Sequence, residues 1–211
     1  MKNHIFNLCR GKDVLQIGVL GDIDNYIKNN KLEDWDFSNI KKVAKTAAGV
    51  DINKEGLEKA IKIGITDIKF GDAENLDLNK KFDVIYAGDL IEHLNNIGKF
   101  LESCKKHMKQ DSILVLTTPS PYSLNMIIRS FFKSAAKGIF NEHTVLLHEK
   151  NLKELLRRFS FEINTIKYYT TPDKRTIFSR IGNILMKIAS FYNSEFNQNY
   201  ILIASLENKN N

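Results

Sequence analysis

Phe82-Asp83-Val84-Ile85-Tyr86-Ala87-Gly88-Asp89-Leu90-Ile91-Glu92-His93 is the stretch on which the fold turns. An apolar run of strand length closes on Gly88-Asp89 and hands over directly to a Glu-His pair. The same grammar recurs on both sides. Gly71-Asp72-Ala73-Glu74 follows a short strand-like stretch at 67–70, Gly49-Val50-Asp51 ends another, and Leu114-Val115-Leu116-Thr117-Thr118 runs into Pro119. Parallel α/β sheets gather ligands at the carboxyl ends of their strands. Every polar group of interest here falls just after an apolar run.

Working outward, apolar β-rich runs alternate with helical patterns, which marks βαβ units and a mostly parallel, doubly wound sheet. Strands are predicted at 13–18, 48–51, 67–70, 82–87, 112–118, 161–169 and 200–206. Helices are predicted at 39–46, 53–63, 97–108, 124–136, 150–159 and 176–192. Asn53 is the expected cap of the second helix and Gly64 its stop. Residues 19–38 read as polar and irregular. They are expected to cover a ligand or build part of an acceptor pocket, with Trp35 and Phe37 packing over it or into a lid core.

A chain of 211 residues suits one domain, 1–211. Residues 11–120 and 121–206 read as its two halves, ahead of a flexible tail at 207–211. The 43% hydrophobic and 27% charged composition is that of a soluble globular protein, which excludes general disorder. With only Cys9 and Cys104, a disulfide framework is not indicated and a cytoplasmic setting is expected. No apolar run reaches the roughly 20 residues of a membrane span, and the amino terminus lacks a signal-peptide profile. The net charge of +6 comes from scattered lysines that read as solvated helix faces, so no nucleic-acid partner is expected.

Asp51 ends a strand before a capped helix. A carboxylate there can accept both hydroxyls of a ribose, or serve as a helix cap itself. Asp72 can accept an adenine amine while the Ala73 amide meets a ring nitrogen; it can equally be a turn former beside Gly71. His93 and His143 are the candidate bases, since imidazole titrates near neutral pH, and His148 reads as a helix-start residue. Asp89, Glu92 and His93 also make an acidic-x-x-acidic-His set that can hold a divalent cation.

Asp51, Asp72-Ala73, the FDVI of the fourth strand and the Glu92-His93-Leu94 that follows resemble class I S-adenosyl-L-methionine (SAM) dependent methyltransferases. The branch indicated includes quinone, sugar and glycan O-methyltransferases. The resemblance covers residues 11–120, and extends more thinly through Asn141-Glu142-His143. It implies a Rossmann-like sheet of seven strands, the last antiparallel and inserted beside the fifth. It implies SAM as cofactor, with Asp51 and the adjacent Ile52 at the ribose, Asp72 and Ala73 at the adenine, and Gln16, Gly18 and Asp89 at the methionine end. A small-molecule or glycan acceptor is implied on the other side, as a monomer or homodimer. The departure is Gln16-Ile17-Gly18-Val19-Leu20-Gly21-Asp22, where the family reads acidic-x-Gly-x-Gly-x-Gly and only Gly18 falls in register. A Leu at the second position is tolerable if its φ is negative and Gly21 supplies the turn one residue late. A partner subunit that no longer binds SAM is the alternative. The amphipathic stretches 124–136 and 176–192 carry Arg129, Lys133, Lys137, Arg180 and Lys187. They are core-covering helices, or else rest on an anionic membrane and reach a lipid-linked acceptor.

Overall fold

The computed structural model of the chain describes residues 1–131, 143–171 and 177–207. Seven strands, β1 (Asp13–Ile17), β2 (Thr46–Asp51), β3 (Ile68–Phe70), β4 (Phe82–Gly88), β5 (Met108–Pro119), β6 (Phe161–Tyr169) and β7 (Asn199–Leu206), form one sheet. Their order is β3-β2-β1-β4-β5-β7-β6. The β1–β2, β1–β4, β2–β3 and β4–β5 pairs are parallel, whereas β7 runs antiparallel to β5 and β6. The last strand is thus inserted beside the fifth, as the sequence implied.

Eight helices accompany the sheet among the described residues: α1 (Lys2–Cys9), α2 (Ile23–Lys28), α3 (Asp36–Val43), α4 (Lys54–Lys62), α5 (Ile97–Lys106), α6 (Leu124–Phe131), α7 (Glu149–Arg158) and α8 (Ile177–Tyr192). Alternation along each strand sends successive side chains to opposite faces. Leu15, Ile17, Ile85 and Leu116 meet Phe100, Leu101 and Cys104 of α5 and Leu152 and Leu156 of α7. Val14, Val84, Tyr86 and Val115 meet Ile5 and Cys9 of α1 and Ile40 of α3. The sheet is therefore covered on both faces, and the two buried, free cysteines belong to opposite sides of it. Asn53 caps α4 as expected, its side chain accepting from the Gly56 amide at 2.9 Å.

Two readings of the amino-terminal third need correction. Helix α1 was not foreseen, because only Ile5 and Cys9, one turn apart, mark its buried stripe. Residues 19–38 are not irregular: they hold α2 and a 3-10 turn, and α3 begins at Asp36 rather than Asn39. Trp35 (2% exposed) and Phe37 (fully buried) pack with Val19, Leu20, Ile23 and Ala60 in a satellite core. The Trp35 indole donates to the Val19 carbonyl at 2.7 Å, so both rings support the loop after β1 from behind. The predicted helix 124–136 is seen to Phe131 and that at 176–192 from Ile177; the remainder of each, with residues 208–211, lies outside the described residues.

Phe37→Ala is expected to lower the unfolding free energy by about 3–5 kcal/mol in a urea titration, since it empties a closed satellite core. Ile52→Ala, at a side chain 63% exposed, should change it by less than about 0.5 kcal/mol.

Candidate active site

The carboxyl ends of β1 to β4 border a crevice of about 340 Å³. Gly18 lines it from β1, Asp51 and Ile52 from β2, Asp72 and Ala73 from β3, and Leu90 and His93 from the loop after β4. Six of the residues singled out in the sequence are thereby brought together on one wall. Leu90 was not foreseen there; an apolar residue two places past a strand gives no signal of its own.

The altered glycine loop keeps this crevice open by turning its bulk away. Gly18 and Gly21 both have positive φ, +71° and +49°, while Leu20 does not. Leu20 is 1% exposed and points into the satellite core, where its Cδ1 lies 2.9 Å from the place a Cβ on residue 56 would occupy. The Leu20 side chain is absent from the crevice wall. Its backbone amide instead donates to Asp51 Oδ2 at 2.9 Å, and the Asn53 amide donates to Asp51 Oδ1 at 3.0 Å. Each Asp51 oxygen thus has one backbone donor and retains capacity for another. The carboxylate is fixed in place without being used up.

Asp72 combines both roles considered for it. It caps the 3-10 turn Ala73–Asn75, accepting from the Glu74 amide at 2.9 Å and the Asn75 side chain at 3.0 Å, while lining the crevice. Glu74 Oε1 in turn accepts from the Asn95 and Asn96 amides at 2.7 and 3.0 Å, which clamps the loop after β4 against the end of β3.

Gln16 and Asp89 stand outside the crevice wall. Gln16 is opposite Tyr86 in register and, by alternation with Ile17, faces the α1–α3 side. It is 5% exposed, and its Oε1 has no partner among the described residues. Below it, the Tyr86 hydroxyl donates to Asp36 Oδ2 at 3.2 Å, and Lys2 pairs with Asp36 Oδ1 at 2.7 Å. Asp89 has φ +48°, held by its amide donating to the Thr117 carbonyl at 2.9 Å. The Thr117 hydroxyl donates to Asp89 Oδ1 at 3.0 Å. Crowding by the surrounding chain raises the Asp89 carboxyl pKa, although the residue itself is exposed.

His93 and His143 meet edge to face, with ring centroids 4.8 Å apart. What joins them is Thr144: its amide and hydroxyl both donate to the Glu92 carbonyl, at 2.7 and 3.0 Å. A threonine after a histidine carries no recognisable pattern, so this link was invisible in the sequence. Ligand atoms of Glu92, His93 and His143 lie within 4.8 Å of one another. The alternative cation set considered at Asp89, Glu92 and His93 is not the one brought together: among the described residues the ligand atoms that gather are those of Glu92, His93 and His143. His148, as read, caps α7, accepting from the Lys150 amide at 3.2 Å. Asn141 and Glu142 lie outside the described residues.

A family model for the methyltransferase domain matches residues 33–166. The chain belongs to this methyltransferase family. Its fold is that of the SAM-dependent enzymes. A SAM-dependent methyltransferase from Clostridium acetobutylicum superposes with a TM-score of 0.64 over 98% of this chain and 90% of its own, at 15% identity. Magnesium protoporphyrin IX methyltransferase from Synechocystis, with bound S-adenosylhomocysteine, gives 0.61 over 98% and 82%, at 14% identity. Among curated relatives, the ubiquinone biosynthesis O-methyltransferase of Rickettsia akari is 24% identical over 44% of this chain and 39% of its own length. That of Pelagibacter ubique is 32% identical over 41% and 36%. The chain thus spans well under half the length of these relatives.

Within this methyltransferase domain, the buried charge beside the histidines has a pH consequence. Glu92 is 1% exposed, and desolvation pushes its carboxyl pKa from 4.5 up to about 7, opposed in part by the Thr118 hydroxyl donating to it at 2.9 Å. The native state therefore holds this proton more tightly than the unfolded chain. Its stabilising effect is complete below the unfolded value and is lost as pH rises through the native one, by on the order of 3 kcal/mol. Urea unfolding at acid and at mildly alkaline pH should show this loss in the wild type and a flatter profile in Glu92→Gln.

Proposed function

We propose that this protein transfers a methyl group from S-adenosyl-L-methionine to an oxygen of a small-molecule acceptor. The observation that supports this best is the crevice itself. Asp51 and Asp72, at the tips of neighbouring strands, face one cavity, and the bulky residue of the glycine loop is turned out of it. The residues present fit the cofactor. Asp51 retains acceptor capacity for the two ribose hydroxyls, and Ile52 and Ala73 offer apolar surface to a purine. Gln16, buried on the α1–α3 side of the sheet, stands outside the crevice wall and takes no part in this fit.

SAM supplies an electrophilic methyl on a positively charged sulfur that departs as a neutral thioether. The protein's tasks are then to align the acceptor, exclude water and receive one proton. Gly18 lets the backbone come close to the ligand, its approach on the other side bounded by Leu90. His93, on the crevice wall, takes the proton from the acceptor hydroxyl, and His143 holds that imidazole edge-on. The relatives' shared name favours an acceptor from quinone biosynthesis over the sugar or glycan precursor indicated by the sequence alone. The domain reading places cofactor binding in residues 11–120 and acceptor binding in 121–206.

Titration calorimetry with S-adenosylhomocysteine should give micromolar affinity, weakened about 10–100-fold in Asp51→Ala through the loss of two charge-assisted hydrogen bonds. No heat at millimolar ligand, in a sample folded by circular dichroism, overturns the enzymatic reading in favour of a partner subunit. His93→Ala is expected to lower kcat by about 10²–10⁴-fold in a methyl-transfer assay while leaving that affinity within about twofold.

A further inference from the structure

Helix α8 is held down by one side and bare on the other. Met186 is buried, while Ile184, Leu185, Ile188, Phe191 and Tyr192 are all exposed, the last two at 86% and 82%. At 100° per residue these five fall on one arc centred on Ile188, opposite Met186. They account for five of the eleven large apolar side chains exposed among the described residues. A surface of that kind on a soluble protein marks an interaction site.

Charge identifies the partner. Lys187 is exposed at the border of this stripe. Residues 112–141 and 174–194, the two segments that contain α6 and α8, hold seven Lys or Arg and no Asp or Glu. They exceed the net charge of the whole chain, +6, so the remainder is slightly acidic. An apolar arc bordered by Lys187, in a segment without acidic residues and ending in an aromatic pair, has the character of a helix that lies in a lipid headgroup layer. A second copy of the chain would bring the same cations face to face. No helix among the described residues is long and apolar enough to cross a membrane, which leaves lying on the surface as the mode of contact.

We propose that the exposed face of α8, centred on Ile188 and bordered by Lys187, docks on an anionic lipid bilayer. Its place in the fold gives this contact a use. Helix α8 joins the end of β6 to the start of β7, where Tyr169 pairs with Asn199 and Asn199 with Pro119. That is the edge of the sheet from which Asp89 and Glu92 also emerge, so docking brings the acceptor side to the lipid. The docking inference stands on the helix face and the charge distribution, independently of the methyl-transfer reading.

Co-sedimentation of the full chain with vesicles tests it. The protein should sediment with phosphatidylcholine vesicles containing about one-third phosphatidylglycerol, remain in solution with phosphatidylcholine alone, and be released by salt. Ile188→Ser combined with Phe191→Ser should weaken binding about tenfold or more, and Lys187→Glu by roughly tenfold on anionic vesicles only. Both variants lie on the exposed surface and should retain the wild-type circular dichroism and S-adenosylhomocysteine affinity. The proposal is overturned if the wild type ignores anionic vesicles or if the double variant binds them equally. It is also overturned if sedimentation velocity shows a dimer that the double variant dissolves.

Discussion

The two hydrogen bonds that Asp51 accepts, from the amides of Leu20 and Asn53, hold the ligand crevice in shape. One fixes the turn after β1, the other the entrance to α4, and both are drawn to a single carboxylate at the tip of β2. Backbone amides pointing at a charged acceptor make comparatively strong bonds, because the acceptor is ionised and the donors have no rotamer freedom to lose. The loop therefore needs fewer glycines than its pattern suggests. Its position is set by what it donates to, not only by what its side chains lack.

This separates two duties that a sequence motif merges. A glycine-rich turn is ordinarily read as permission for close approach, and a leucine within it as an obstruction. Here the obstruction is removed by side-chain direction. Leu20 fits into space left by the missing Cβ of Gly56 and is backed by Trp35 and Phe37. The aromatic residues that looked like a lid are the buttress of the floor.

Much of the fold was legible because β4 and the second half of β5, buried on both faces, read as nearly continuous apolar runs, and candidate carboxylates follow β2, β3 and β4. Asp51, Asp72 and His93 sit where that rule puts them. What escaped were relations between distant segments. The meeting of His143 with His93 depends on Thr144, whose amide and hydroxyl both bond to the Glu92 carbonyl, some fifty residues away in sequence. Similarly, Asp89 looked able to join Glu92 and His93 around a cation, whereas the side chain that packing brings to them is His143. Local pattern reports which residues are chemically capable; only packing reports which are already occupied.

The interlock between Leu20 and Gly56 ties the two positions together. Glycine at position 20 would vacate a closed space behind the loop, and a void of that size costs roughly 2–5 kcal/mol, a large share of the stability of an ordinary domain. A side chain at residue 56 would press on the Leu20 Cδ1 and on the Asn53 cap. Loop and helix thus form one coupled unit, in which the effects of substitutions at 20 and 56 do not simply add.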